Sequence, residues 1–302
     1  HSSRLPRGLS MELFVQQLVA GLSTGTIYAC VALAVVMIYQ AIGHVNFAQG
    51  EMAMLSTFVA WQLIEYGAPY WVAFPLTVGL SFLMGVLLER LLMRRLHGAP
   101  HLSQVTVFIG LLLIINSVAG YLWSFTVKPF PTPFGTAPFL GAGWVSQHQA
   151  GMLATTLAIL VLLFIFFSSS KVGLSMRAAA SNPTSARWLG IRVRALEGLG
   201  WGMAAAIGAV AGMLIAPVVF LEPNMMAGTL IYGFAGAVLG GLSSPAGAVL
   251  GGLIVGVLEN MAGTFIPVVG GELKLTLALV TIVMVLVVRP QGLLGRKLVQ
   301  RV

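Results

Sequence analysis

The stretch GTLIYGFAGAVLGGLSSPAGAVLGGLIVGVLEN, Gly228 to Asn260, decides what kind of molecule this is. Glu259 is its single charged residue, and two glycine-rich apolar runs meet at Ser243-Ser244-Pro245. The runs are apolar all round and lack the two-residue alternation of a membrane barrel, so they suit helices surrounded by lipid or protein. The pairs Gly236/Gly240, Gly247/Gly251 and Gly252/Gly256 have the small-xxx-small spacing that lets a second helix backbone approach closely. At the break, proline removes a backbone donor, and non-helical backbone at membrane depth is tolerated only beside protein or a water-filled cavity. Ser243 and Ser244 are therefore candidates for a translocation path.

The rest of the chain extends the pattern. Its 302 residues are 58% hydrophobic and 8% charged, with a mean hydropathy of +0.96. That balance predicts an all-α, polytopic membrane bundle, since crossing a hydrocarbon core takes about 20 helical residues and many such runs occur. The first ten residues, HSSRLPRGLS, read as an expression-tag remnant, which leaves 11–302 as one transmembrane domain. No basic segment and cleavage site of a signal peptide frame the first apolar run. Cys30 is the single cysteine, which excludes an internal disulfide.

Charge sets the expected topology. All 8 acidic residues are Glu, and 12 of the 16 basic residues fall in three clusters. These are Arg90, Arg94 and Arg95; Lys171, Arg177, Arg187, Arg192 and Arg194; and Arg289, Arg296, Lys297 and Arg301, which the positive-inside bias assigns to the cytoplasm. Between the first two, spans are expected near Val105 to Trp123 and Met152 to Phe167, around an external loop with four prolines. Between the second and third lie Leu196 to Phe220, Met226 to Leu242, Pro245 to Leu258 and Leu275 to Val288. Leu13 to Gln40, Phe47 to Ile64 and Tyr70 to Leu88 come first, which puts the native N-terminus outside. The sum is nine crossings, or eight if one short segment only re-enters.

A second interruption is GHVNFAQGEMAML, Gly43 to Leu55, where His44, Asn46, Gln49 and Glu51 crowd between two glycines. Paired interruptions in the two halves of a chain point to a transport route at their meeting place. The same residues also suit a turn that caps the next helix, with Glu51 favoured by the helix dipole. Asn116, inside a span, is a further lining candidate, and interhelical hydrogen bonding explains it equally well. Glu197, Glu222, Glu259 and Glu272 are placed near span ends.

The longest expected cytoplasmic segment, 168–197, contains a delimited helix. Asn182 suits its cap, Pro183 its first turn and Gly190 a left-handed stop, giving Pro183 to Leu189. Ser185, Arg187 and Trp188 lie on it, the last two suited to docking on a protein.

Together, VNFAQGEMAML, GLSMRAAASNPTSARWLGI, FAGAVLGGLSSPAGAVLGGLIVGVLE and VVRPQGLLGRK resemble the LivH-type permease subunits of branched-chain amino-acid ABC importers, in the family's order and over nearly all of 11–302. Gln49 stands where many relatives have histidine. The resemblance implies a subunit of the bacterial inner membrane that pairs with a second, LivM-like permease. Two cytoplasmic ATPases that bind the ATP and a periplasmic substrate-binding protein would complete the assembly. Asn182 to Gly190 would be the helix that couples to an ATPase.

The chain has no G-x-x-x-x-G-K-[ST] run, so energy from ATP must arrive through a partner. His44, His97, His101 and His148 are scattered among different loops without metal-ligand spacing, and no cofactor, metal, catalytic group or nucleic-acid partner is expected. Few charges in the spans suit a neutral or zwitterionic solute. A permease for another small solute (urea or an amide, an aromatic acid, a sugar) and an ATP-independent channel or secondary transporter are the competing functions.

Overall fold

The protein's structure, a computed structural model, describes residues 7–42, 45–96, 99–139, 145–266 and 273–295. Among them are eleven helices: α1 Arg7–Ile42, α2 Gln49–Glu65, α3 Tyr70–Leu91, α4 His101–Trp123, α5 Gln147–Ser169, α6 Lys171–Ser181, α7 Pro183–Trp188, α8 Val193–Val219, α9 Met226–Gly240, α10 Pro245–Phe265 and α11 Lys274–Val288. The nine apolar runs expected from the sequence are all helices. Six of these are long and apolar enough to cross a membrane, namely α1, α3, α4, α5, α8 and α10. Helices α9 and α11 are apolar but have 15 residues each, and α2 has 17.

Helices α1 and α8 form the centre. α1 packs on α8, α9 and α10, while α8 also carries α2 and α3 on its other side. α4 is attached through α2, α5 lies against α1, and α11 against α9. Glycines set how close the central helices come. A Cβ added at Gly25 would stand 2.7 Å from the Leu253 Cα, and one at Gly236 2.7 Å from the Gly252 Cα. Added at Gly252 it would strike the Ala29 backbone, at Gly256 that of Gly25, and at Gly240, Gly247 or Gly251 the backbone of the facing helix. Sharing a small-residue surface in this way replaces the hydrophobic drive that lipid does not provide.

Local chemistry fixes several helix ends. Ser146 and Gln149 form a capping box that starts α5 at Gln147, five residues earlier than apolarity alone indicated. The Ser244 hydroxyl accepts from the Gly247 amide and Pro245 occupies the first turn of α10. That helix was expected to stop at Leu258, but it continues to Phe265, and the Asn260 side chain turns back onto the Gly256 carbonyl at 3.0 Å. Leu293 and Leu294 donate to the Leu239 and Gly240 carbonyls at 2.8 and 3.0 Å, satisfying acceptors that the end of α9 leaves open. Helix α1 begins at Arg7, within the segment read as a tag remnant. Outside the helices, Lys128 pairs with Leu221 through two backbone bonds of 2.9 and 3.0 Å, which join the loop after α4 to the α8–α9 connection.

Candidate functional site

The chain between α1 and α2 enters the bundle before α2 begins. Asn46 and Gln49 are each 1% exposed and Glu51 is 7%. A solvated turn does not describe residues this buried. The Asn46 Oδ1 accepts from the Ala48 amide at 3.0 Å, and the Asn46 carbonyl from the Gln49 amide at 3.2 Å, so a tight turn feeds straight into the helix. The Gln49 Nε2 donates to the Ala204 carbonyl at 3.0 Å. Ala204 lies 11 residues into α8, about 16 Å along its axis. Helix α2 therefore starts deep beside α8, not level with its end. Gly208 makes room for this contact, since a Cβ there would sit 2.6 Å from the Gln49 Nε2. One turn on, Gly212 does the same for Thr57. The Gln49 Oε1 is buried without a partner among the described residues. His44 lies outside the described residues.

A second polar group forms where α2, α4 and the α8–α9 connection meet. The Asn116 Nδ2 lies 3.3 Å from the Glu51 Oε2, 2.9 Å from the Pro223 carbonyl and 3.2 Å from the Asn224 Oδ1. The structure thus brings Glu51 and Asn116 together, and it adds Asn224, which the sequence had not singled out. Further along α2, Ser56 accepts from the Ser81 hydroxyl at 2.7 Å, and Gln62 accepts from the Trp123 indole at 2.9 Å. A line of polar contacts therefore follows α2 through an otherwise apolar bundle.

Ser243 and Ser244 stand at the turn between α9 and α10, apart from both groups. Ser244 caps α10, and the Ser243 carbonyl accepts from the Gln40 amide at 3.0 Å. The glycines Gly236, Gly240, Gly247, Gly251, Gly252 and Gly256 lie in the α1–α9–α10 contact described above.

The segment after α5 forms two helices where the sequence indicated one. Ser170 caps α6, and Asn182 caps α7 by accepting from the Ser185 amide at 2.9 Å. Gly190 ends α7 with φ +81°, its amide bonded to the Arg187 carbonyl at 3.0 Å. Only Ala186 of α7 is buried; Trp188 is 87% exposed and Leu189 80%. An indole and an isobutyl group held in the open by two caps form a short, rigid, apolar projection.

Glu259 had been placed at a span end. It lies instead within α10, accepting from the Tyr28 hydroxyl at 2.6 Å, and Tyr28 stacks on Tyr232 with ring centroids 4.7 Å apart. Glu89, 1% exposed on α3, pairs with Arg94 at 3.3 Å. His148 binds the Leu214 carbonyl at 2.9 Å, a packing contact between α5 and α8.

A bundle of apolar helices, packed through glycines and carrying polar groups at an interrupted segment, is a polytopic membrane permease in its architecture. Residues 17–288 match the family model described as "Branched-chain amino acid transport system / permease component", and the chain belongs to that family. The high-affinity branched-chain amino acid transport system permease protein BraD of Pseudomonas aeruginosa is 31% identical over 96% of this chain and 98% of that one. LivH of Escherichia coli, a permease protein of the same description, is 28% identical with the same coverages. The xylose/arabinose import permease XylH of Sulfolobus acidocaldarius is 29% identical, but over 57% of this chain and 46% of its own length.

Proposed function

We propose that this chain is one permease subunit of an ATP-driven importer of amino acids, branched-chain or other neutral and hydrophobic ones. It forms half of the translocation route, with a LivM-like second permease as the other half. Two ATPases on the cytoplasmic side bind the nucleotide, and a periplasmic binding protein delivers the solute. The chain sits in the bacterial inner membrane with its basic loops and C-terminus cytoplasmic and its native N-terminus periplasmic. Family membership supports the class, and full-length similarity to amino-acid permeases, against a partial match to a sugar permease, supports the solute.

The observation that carries the energy coupling is α7. Six residues capped at both ends, with Trp188 and Leu189 bare and Arg187 beside them, make a lever that a protein cleft can grip. A flexible loop would yield under the same load.

The test is ATP hydrolysis by the reconstituted assembly with and without the solute-loaded binding protein. Arg187→Glu and Trp188→Ala are expected to abolish the stimulated component while the complex still purifies intact. Normal stimulated hydrolysis in both would end the assignment of α7. Solute flux through the purified chain without ATP would replace the importer by a channel or secondary carrier.

A further inference from the structure

We propose that Glu51, with Asn116 and Asn224, forms the subsite that receives the ammonium group of the transported amino acid, on a face of the chain that borders the route and not lipid. The proposal rests on the amino-acid importer reading and adds the residue that selects for the amine.

The first argument is a count of donors and acceptors. The Asn116 amide nitrogen has two hydrogens, yet three acceptors surround it: the Glu51 carboxylate, the Pro223 carbonyl and the Asn224 Oδ1. At least one acceptor is left over at any moment, and the Glu51 contact is the longest at 3.3 Å. Among the described residues no cation is paired with Glu51. A carboxylate inside a membrane bundle is costly unless it has a counter-charge or a function. The left-over acceptor and the carboxylate can take a further donor with several N–H bonds, and an ammonium group supplies three.

The second argument is placement. Asn116 lies seven residues before the end of α4, about 10 Å inside that helix, so it stands within the span. Asn224 is exposed, as are Ser117, Ala227 and Gly228, and a Cβ added at Gly228 would meet nothing within 4 Å. Polar groups on the surface of a membrane bundle face another protein or a water-filled cavity, because lipid leaves their hydrogen bonds unmet. Asn224 opens this face of α4 and α9, with Asn116 half-buried and Glu51 buried behind it, so a hydrated route along the face reaches the carboxylate through the two asparagines.

Charge selectivity tests the site without requiring transport. Gly228→Cys, one helical turn from Asn224, is placed in a Cys30→Ala background and labelled in the assembled complex with a cationic methanethiosulfonate and with its anionic sulfonate analogue. The cationic reagent is expected to react at least about tenfold faster relative to the free-thiol rates, and Glu51→Gln to bring the ratio close to one. No reaction from water, or a ratio indifferent to Glu51→Gln, would overturn the proposal. In parallel, Glu51→Gln is expected to cut amino-acid uptake at least tenfold while ATP hydrolysis stimulated by the loaded binding protein persists. Uptake unchanged in that variant would also overturn it. If the unaltered complex shows no ATP-driven uptake, the importer reading fails while the labelling ratio still decides the cation site.

Discussion

Replacing Gly252 by alanine isolates the energetics of the central helix contact. The added Cβ would overlap the Ala29 backbone of α1, and no rotamer change relieves a collision with main chain. Alanine in a helix interior gains about 0.5–1 kcal/mol over glycine, whereas overpacking a tight core costs about 1–3 kcal/mol when side chains can move aside. Here the obstacle is backbone, so the upper part of that range applies and the net loss is about 2 kcal/mol, roughly a 30-fold change in the folding equilibrium. Gly228→Ala is the matched control, because its Cβ enters open space and only the propensity gain remains. The assay is built into the chain: Cys30 is its only cysteine and is 2% exposed, so a maleimide dye reports unfolding without an engineered thiol. In detergent, Gly252→Ala is expected to unfold about 5 °C lower than the parent and Gly228→Ala at the same temperature or slightly higher. A Gly252→Ala chain as stable as Gly228→Ala would refute backbone contact as the reason for glycine there.

Two further substitutions address the buried polar groups. Tyr28→Phe takes the hydroxyl donor from Glu259 and is expected to cost about 1.5–3 kcal/mol, read as a lower unfolding temperature, with Tyr28→Phe/Glu259→Gln recovering part of the loss; additive losses would mean that the pair is not coupled. Gln49→Leu removes the side-chain bond to the Ala204 carbonyl, which keeps its bond within α8, and is expected to slow uptake more than it reduces the amount of assembled complex, so a pure assembly defect would assign Gln49 to packing alone.

Local features were readable from the chain itself. Asn182, Pro183 and Gly190 delimit α7 because caps and stops act within one turn, and the structure has the Asn182 cap and the left-handed Gly190. The nine apolar runs became helices because backbone at membrane depth must pair within its own segment. What the sequence could not supply was depth. Residues Asn46 to Glu51 read equally as a surface cap and as a lining, and only their contacts with Ala204 and Asn116 place them inside the bundle. The glycines that admit α2, Gly208 and Gly212, are remote in sequence and resemble the many other glycine pairs of this chain. Glu259 was misplaced because the apolar run ends at Leu258, while the helix carries on through the polar pair Glu259-Asn260 to Phe265. Asn224 was invisible to pattern, being an exposed loop residue until α4 brings Asn116 beside it.

The short antiparallel pairing of Lys128 with Leu221 joins two distant parts of the machine. Lys128 also lies 4.6 Å from the centre of the Trp61 ring, so the loop is pinned to α2 as well as to the α8–α9 connection. Asn224 is three residues beyond Leu221, and Pro223, whose ring stiffens the link, offers its carbonyl to the same Asn116 amide. Force applied to this loop has little slack to take up before it displaces the Glu51 cluster. The loop is a handle, and anything that grips it holds the polar cluster as well.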